Sequence, residues 1–450
     1  MNVIPAGRDA RCMILLAALA LGTRPVASTL GAQESGSPTP GSASPPPSAL
    51  YLTEVYRLAV VSPRVAASTA FAAAADARIA SAKRPPDPEL QLGFMNRELP
   101  SLAPMNPLGM TQIQLMQMIP APGKLGFAGR IASESAAAAR ARIADVRWDA
   151  RARAAMSFYD LHVADAQLVI MRQTRVLVQD IAKVSQVMYS VGDGTQADVL
   201  RAQVEIARMT EEITRMESMR SSMSGRLAST LDLPGDIALP IPVLPRLPDS
   251  LPPLDDLMRE AEQNRPMITA GERELAAATA GERLARREIW PDLQLGLQYG
   301  WRGGDMGTER MGSLMIGATL PVYARSRQLR MREEAGAMRA MAASDVRAMR
   351  ADTRGRMTEL YADFTRASNL LALYRTTVLP QAESAVTASF SAYRVGRVNL
   401  MTLLDNQMTV NRYRQELIAL EATQGKAIAE IEMLLGRELF DPAQSARAGQ

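Results

Sequence analysis

Cys12 is the one cysteine among 450 residues, so the chain can form no internal disulfide and no cysteine cluster for a metal. His162 is the one histidine, and it has no serine nucleophile or acidic cluster near it at triad or ligand spacing; it reads as an ordinary helix residue. Aromatic residues amount to 4%, thin for an ordinary globular enzyme. Neither sign of charge prevails: 51 Lys and Arg against 47 Asp and Glu leave +4, too little and too evenly spread to argue for nucleic acid. GDG at 192 to 194 and GERLAR at 281 to 286 match no phosphate-binding loop. No site constellation for an enzyme, no cofactor site and no metal site emerges.

What is present begins with an export signal. Arg8 and Arg11 precede an apolar run from Cys12 to Leu21, followed by small residues up to Ala32. The run falls well short of the ~20 residues of a spanning helix, so residues 1–32 read as a secretory signal peptide. Cys12 opens that run rather than following it, which argues against a lipid anchor there. Residues 33–49, rich in Ser, Pro and Gly, read as a flexible leader.

The chain then repeats itself. YSVGDGTQADVLRAQ at 189 to 203 answers YRVGRVNLMTLLDNQ at 393 to 407: Tyr189 with Tyr393, Gly192 with Gly396, Leu200 with Leu404 and Gln203 with Gln407, each 204 positions apart. PELQLG at 88 to 93 answers PDLQLG at 291 to 296. Residues 50–232 therefore form one structural repeat and 254–436 a second. Between them 233–253 is a proline-rich connector, whose proline density excludes helix and interior strand and favours an extended strap lying against the protein. Residues 437–450 are left as a C-terminal tail.

Each repeat predicts a strand hairpin, at 88–119 and 290–321. Leu293, Leu295, Leu297, Tyr299 and Trp301 alternate with Gln294, Gly296, Gln298 and Gly300, and Leu314, Ile316, Ala318 and Leu320 alternate likewise. RGGDMGTER, 302 to 310, reads as the loop between these two strands. The first repeat carries a weaker version in Leu90, Leu92, Phe94, Ile113 and Leu115. The polar face is Gln and Gly rather than Lys and Glu, and the strand lengths suit a bilayer crossing. Four strands cannot close a membrane barrel, and an open edge cannot face lipid, so several chains must share one barrel.

The remainder is helical. The spacing predicts helical hairpins over 125–231 and 324–435, with Pro380 the main interruption of long Ala/Arg-rich runs. Val199, Ala202, Ile206, Met209, Ile213 and Met216 step by three and four, as do Val410, Tyr413, Leu417 and Leu420, which is coiled-coil spacing. Gly192 and Gly396 fall where a helix ends and the chain reverses.

In the order and double occurrence of the Y-x-V-G turns, the P-x-L-x-L-G strand starts, T-x-x-D-V-L-x-A-Q at 195 to 203 and IPAPGKL at 119 to 125, the chain resembles the TolC family of outer-membrane efflux channels over essentially all of 50–436. The resemblance implies a mixed α and β, mostly α fold. As a homotrimer it would form a 12-stranded β-barrel among outer-membrane lipid and an α-helical tunnel in the periplasm, working with a periplasmic adaptor (membrane fusion) protein and an inner-membrane efflux pump. It implies adaptor-docking tips at Val191, Gly192, Val395 and Gly396, and a periplasmic gate using Asp198, Tyr393 and Asp405 with basic partners among Arg201, Arg394 and Arg397. Val398 stands where well-studied members carry an arginine, which puts the closed-state pairing in question. The other reading of Asp198 is a helix N-terminal acid favoured by the macrodipole.

Two further points bear on function. IPAPGKL resembles the heavy-metal efflux branch, so metal or drug export is the expected role, with a non-conducting coiled-coil envelope spacer as the alternative. The 27 methionines invite a Cu(I) or Ag(I) reading, although methionine at helical spacing is usually core filler. Met116 and Met118 share a strand face with Gln112 and Gln114, and Met209, Met216, Met219 and Met223 share helix faces.

Overall fold

The computed structural model describes residues 49–440, except 106–107, 236 and 305–306. The expected signal peptide, residues 33–48 of the leader and residues 441–450 of the tail lie outside the described residues.

In chain order the elements are β1 (Ala49–Tyr51), α1 (Leu52–Ala59), α2 (Pro63–Ala82), β2 (Glu89–Met95), β3 (Met110–Ile119), α3 (Lys124–Ser190) and α4 (Gln196–Thr230). There follow β4 (Ile241–Val243), α5 (Leu254–Asn264), α6 (Pro266–Arg287), β5 (Leu293–Gly304), β6 (Gly307–Ala318), α7 (Gln328–Leu373), a π-turn (Tyr374–Val378), α8 (Leu379–Tyr393) and α9 (Leu400–Leu435). The order of elements after β4 copies the order before it.

Helix α3 is the spine. Its 67 residues contain no proline, and at 1.5 Å per residue it runs about 100 Å. It packs on α2 and α6 near its start and on α4 and α9 beyond. The largest core gathers around its middle, where Phe158, Tyr159 and Leu161 meet Val55 and Tyr56 of α1, Leu227 of α4 and Leu239 of the connector. Each such side chain taken from water contributes roughly 1.5 to 3 kcal/mol. Leu52–Ala82 is apolar and long enough to cross a membrane by length and composition, but Ser62 and Pro63 divide it and α2 lies along α3.

Four sequence expectations need correction. The stretch 302–310 is mostly strand rather than loop: β5 and β6 stay paired from Arg302↔Glu309 to Gly304↔Gly307, and Arg302 Nε donates to Glu309 Oε2 at 2.6 Å, so a cross-strand ion pair prolongs the ladder. The connector lies on the protein as expected but includes a strand, β4, parallel to β1 with Leu50 opposite Pro242. Among the described residues two strands form this sheet, so proline's missing donor faces no third strand there. Ala49, the expected last residue of the leader, is already in β1.

The second long helix starts at Gln328 rather than 324, after turns following Pro321. It is broken by the π-turn just before Pro380. Proline's ring would strike the carbonyl four residues back, that of Thr376, and the widened turn relieves this.

Candidate functional site

The four long strands form one antiparallel sheet in the order β2-β3-β5-β6. Its register puts Leu90, Leu115, Leu297 and Leu314 in one row, and Leu92, Ile113 and Tyr299 in the next. Beyond these, Phe94, Thr111 and Trp301 share a row with Arg310. These apolar side chains are not core: Leu90, Leu92, Phe94, Leu297, Leu314 and Ile316 are each more than half exposed. Tyr299 and Trp301 pack with ring centroids 6.0 Å apart and planes tilted by 42°, near the end of the sheet far from the helices. An exposed Leu and Ile band edged by aromatics is the pattern of a lipid-facing barrel wall. The opposite face carries Gln91, Gln112, Gln114, Gln294 and Gln298 among glycines and methionines.

A buried charge cluster fastens the sheet to the helices. Lys124, the first residue of α3, is 7% exposed in its side chain and meets Glu288 at 3.1 Å and Asp292 at 2.9 Å. Asp292 also accepts from the Ala121 backbone N–H at 2.8 Å. The lysine of IPAPGKL thus ties the two repeats together at the strand-to-helix junction. Sequence reasoning quoted that motif without assigning Lys124 a role, because its acidic partners lie more than 160 positions away.

At the opposite end, α3 turns into α4 and α8 into α9. Gly192 has φ +87° and Gly396 φ +67°, the left-handed conformation that glycine adopts without steric cost. In each turn the residue after the glycine donates its N–H five residues back, Asp193 to Met188 O and Arg397 to Ala392 O, closing the helix end. Val191 and Val395 project at the tips, 65% and 67% exposed. Val178, Ile181 and Ala202 pack with Tyr393, Leu400, Leu403 and Leu404, so the hairpins are held side by side.

The expected gate residues are divided among several tasks. Asp198 closes a capping box: its N–H donates to Thr195 Oγ1 at 3.2 Å, and its carboxylate accepts from the Thr195 backbone N–H at 3.4 Å and from the Thr195 hydroxyl at 2.7 Å. Tyr393 is buried, and its hydroxyl shares a 2.7 Å hydrogen bond with Ser185 Oγ. Arg201, Arg394, Arg397 and Asp405 are exposed. Ion pairs near the tips join Asp180 to Lys183, Glu205 to Arg208 and Glu383 to Arg414; among the described residues none involves Asp198, Arg201, Arg394, Arg397 or Asp405. His162 is half-buried with Nδ1 3.1 Å from Pro242 O, a packing contact to the connector. Among the described residues no group of three or more His, Cys, Asp or Glu side chains is placed to hold a metal.

Comparison with known proteins agrees with this architecture. Residues 55–231 and 257–437 each match the family model described as outer membrane efflux protein. The chain is 25% identical over 308 residues to the cobalt-zinc-cadmium resistance protein CzcC of Cupriavidus metallidurans, covering 66% of this chain and 70% of that protein. It is 25% identical over 264 residues to the pyoverdine export outer membrane protein OpmQ of Pseudomonas putida, covering 54% and 53% respectively. The fold matches that of CusC with a TM-score of 0.73 at 15% identity over 86% of this chain and 92% of that one. It also matches VceC of Vibrio cholerae with a TM-score of 0.72 at 17% identity over 86% and 97%. With both repeats matched, a lipid-type strand face at one end and paired helical hairpins at the other, the chain belongs to the outer membrane efflux protein family, the outer-membrane channels of efflux systems.

Proposed function

We propose that three copies of the chain assemble into a passive exit duct. The observation that carries this reading is the four-stranded sheet whose apolar face is exposed and whose edge strands, β2 and β6, each lack a partner on one side among the described residues. Each unpaired backbone group facing lipid costs several kcal/mol, so both edges must find strands from other copies. Three chains give twelve strands, enough to close a barrel, and the helical hairpins then line a tunnel below it.

In this reading residues 50–232 and 254–436 are two copies of one unit joined by the strap 233–253, behind a flexible leader, 33–49, and a removed signal peptide, 1–32. The tips at Val191, Gly192, Val395 and Gly396 receive a periplasmic adaptor, and an inner-membrane pump supplies the driving force. The cargo is a metal ion or a small organic compound, as the names of the two curated relatives support.

The gate lies where the tips of three chains converge. Asp405, exposed on α9, and the exposed Arg201, Arg394 and Arg397 supply charges for pairing between neighbouring chains. Asp198 and Tyr393 act from behind, one capping α4 and the other pinning α8 to α3. A ring of like carboxylates around a threefold axis repels anions, and pairing with arginines holds the aperture small.

Planar-bilayer conductance of the detergent-extracted protein, with mass measured on the same sample, tests the reading. A trimer giving discrete current steps supports it. A monomer with folded helices and strands but no current would overturn it in favour of a non-conducting coiled-coil spacer.

A further inference from the structure

Every described methionine of the four-stranded sheet lies on one face. Met95, Met110, Met116, Met118, Met311 and Met315 all share the Gln/Gly side; the opposite side is mostly Leu, Ile and aromatics, with Thr111, Gln117, Thr308 and Arg310 among them, and has no described methionine. Thioether and isobutyl side chains are nearly interchangeable in a hydrocarbon setting, so lipid contact does not explain this segregation. Core filling does not explain it either, because Met95, Met118, Met311 and Met315 are between 37% and 46% exposed.

The methionines are also paired. Met116 and Met315 flank Gly296 in one row of the sheet. A Cβ placed on Gly296 would sit 3.3 Å from Met315 Cε and 3.8 Å from Met116 Cγ, so both side chains lie over the glycine. Four residues along β5, Met311 is the β6 partner of Gly300, and Met110 Sδ lies 3.1 Å from where a Cβ on that glycine would be. Gly296 opens a space covered by Met116 and Met315, and Gly300 one that Met110 enters from the neighbouring row with Met311 directly opposite on β6; the two rungs are about 13 Å apart along the strand. Between them Gln114 and Gln298 share a row with Gln91 and Ser313. This face has no described histidine, cysteine or aspartate. Its acids are Glu89, beside Met116, and Glu309, which is engaged by Arg302.

We propose that these two thioether rungs, Met116/Met315 and Met110/Met311, are transient binding sites for a soft monovalent d10 cation, Cu(I) or Ag(I), passing through the barrel. The inference rests on the channel reading above, which turns this face toward the lumen. Neutral sulfur donors select soft monovalent ions, whereas Co(II) and Zn(II) favour the imidazole and carboxylate ligands that the face largely lacks. Because a thioether brings no negative charge, each rung holds the ion weakly. Several weak sites in series are what conduction requires.

Silver nitrate is the probe, applied in chloride-free potassium nitrate to the extracted protein in planar bilayers; the chain's one cysteine, Cys12, lies in the proposed signal peptide, so that thioethers are the sulfur donors after export. Micromolar silver is expected to reduce the potassium current steps reversibly. A variant with Met110, Met116, Met311 and Met315 all replaced by Leu keeps side-chain volume and should need about tenfold more silver for half-block. A Met209→Leu, Met216→Leu control in α4 should behave as the parent. Equal half-block in parent and fourfold variant, or potassium steps untouched by silver, would overturn the rungs while leaving the channel standing. Absence of potassium current in the parent would overturn the channel reading and the rungs with it. Peroxide footprinting of the parent needs no variant: silver should slow oxidation of the four rung methionines but not of Met338 and Met341 on α7, and equal slowing at all six would count against the proposal.

Discussion

In the first repeat α3 runs unbroken for 67 residues to its turn, whereas in the second the same path is α7, a π-turn and α8. The turns share the left-handed glycine and the five-residue backbone closure, yet their side chains differ. Thr195 and Asp198 cap α4 as a box; 204 positions on, Asn399 and Thr402 stand in their places, and Asn399 Oδ1 accepts from both the Thr402 N–H and its hydroxyl at 2.9 and 2.8 Å. The position matching exposed Tyr189 holds buried Tyr393. A duplicated backbone has kept what the chain reversal requires and let the side chains specialise: the first repeat supplies the rigid spine, and the second supplies the contacts that hold its own hairpin to that spine. If so, equivalent substitutions in the two repeats should have unequal effects.

The largest inequality is expected between two helix glycines that are not themselves register partners, since Gly425 matches Ser221 and Gly225 matches Ala429. A Cβ on Gly425 of α9 would lie 2.2 Å from Tyr159 Cζ, inside the main core, while a Cβ on Gly225 of α4 meets nothing within 4 Å. Gly425→Ala should therefore destabilise by about 3 kcal/mol. Gly225→Ala should stabilise by up to about 1 kcal/mol through helix propensity. Thermal melts of the two extracted variants followed by circular dichroism check this, and similar midpoints would erase the asymmetry.

Next in size is a pH effect centred on one residue of the second repeat. Glu432 on α9 is 1% exposed, and burial pushes its carboxyl up to about 7 despite the Leu439 N–H at 2.9 Å and the Arg151 guanidinium at 3.7 Å. The matching first-repeat residue is Ala228. Between about pH 4.5 and 7 the folded chain keeps a proton that the unfolded chain has lost, so stability falls as pH rises through that window. The loss is on the order of 2 to 3 kcal/mol by pH 8.5. Glu432→Gln should remove this share of the decline, seen as a smaller drop in melting midpoint between pH 5.5 and 8.5 than in the parent. An Ala228→Ser control should leave the parent's pH dependence as it is.

At the tips, Tyr393→Phe leaves the Ser185 hydroxyl without its 2.7 Å partner and should cost about 1 kcal/mol. Hydrogen exchange should rise in residues 185–205 and 390–405. Tyr189→Phe, at an exposed ring, should change neither stability nor exchange. Equal responses would place the two tyrosines in the same role.

How much of this was legible in the sequence depends on the range of the interaction. The repeat follows from self-similarity 204 positions apart, the strand faces, helix turns and coiled seams follow from patterns within a few residues, and the structure bears out that fold. The 302–310 stretch misled because its glycines look like a loop, while the Arg302–Glu309 pair that extends the strands appears only once the register is known. The π-turn was half legible: Pro380 announced an interruption, not its form. Tyr393–Ser185 and Lys124–Glu288–Asp292 join residues 164 to 208 positions apart, and no local pattern encodes such partners. The methionine pairing needed both strand parity and register, of which the sequence supplies only parity.

The smallest expected effect separates capping from gating at Asp198. If its work is the α4 cap, Asp198→Asn keeps an acceptor for Thr195 and loses only the charge at the helix N-terminus, worth 0.3 to about 1 kcal/mol and screened by salt. Conductance should then stay at the parent value, while Thr195→Ala, which removes the box altogether, should cost about 1 kcal/mol. The matching change in the second repeat, Asn399→Ala, should cost about the same, since Asn399 takes both donors of Thr402. Asp405→Asn makes the contrast: its exposed carboxylate accepts no side-chain hydrogen bond in its own chain among the described residues, so its loss should leave stability unchanged and raise single-channel conductance if it pairs with arginines of the neighbouring chain. A conductance rise in Asp198→Asn with none in Asp405→Asn would reverse the assignment, making the first repeat the gate and the second its support.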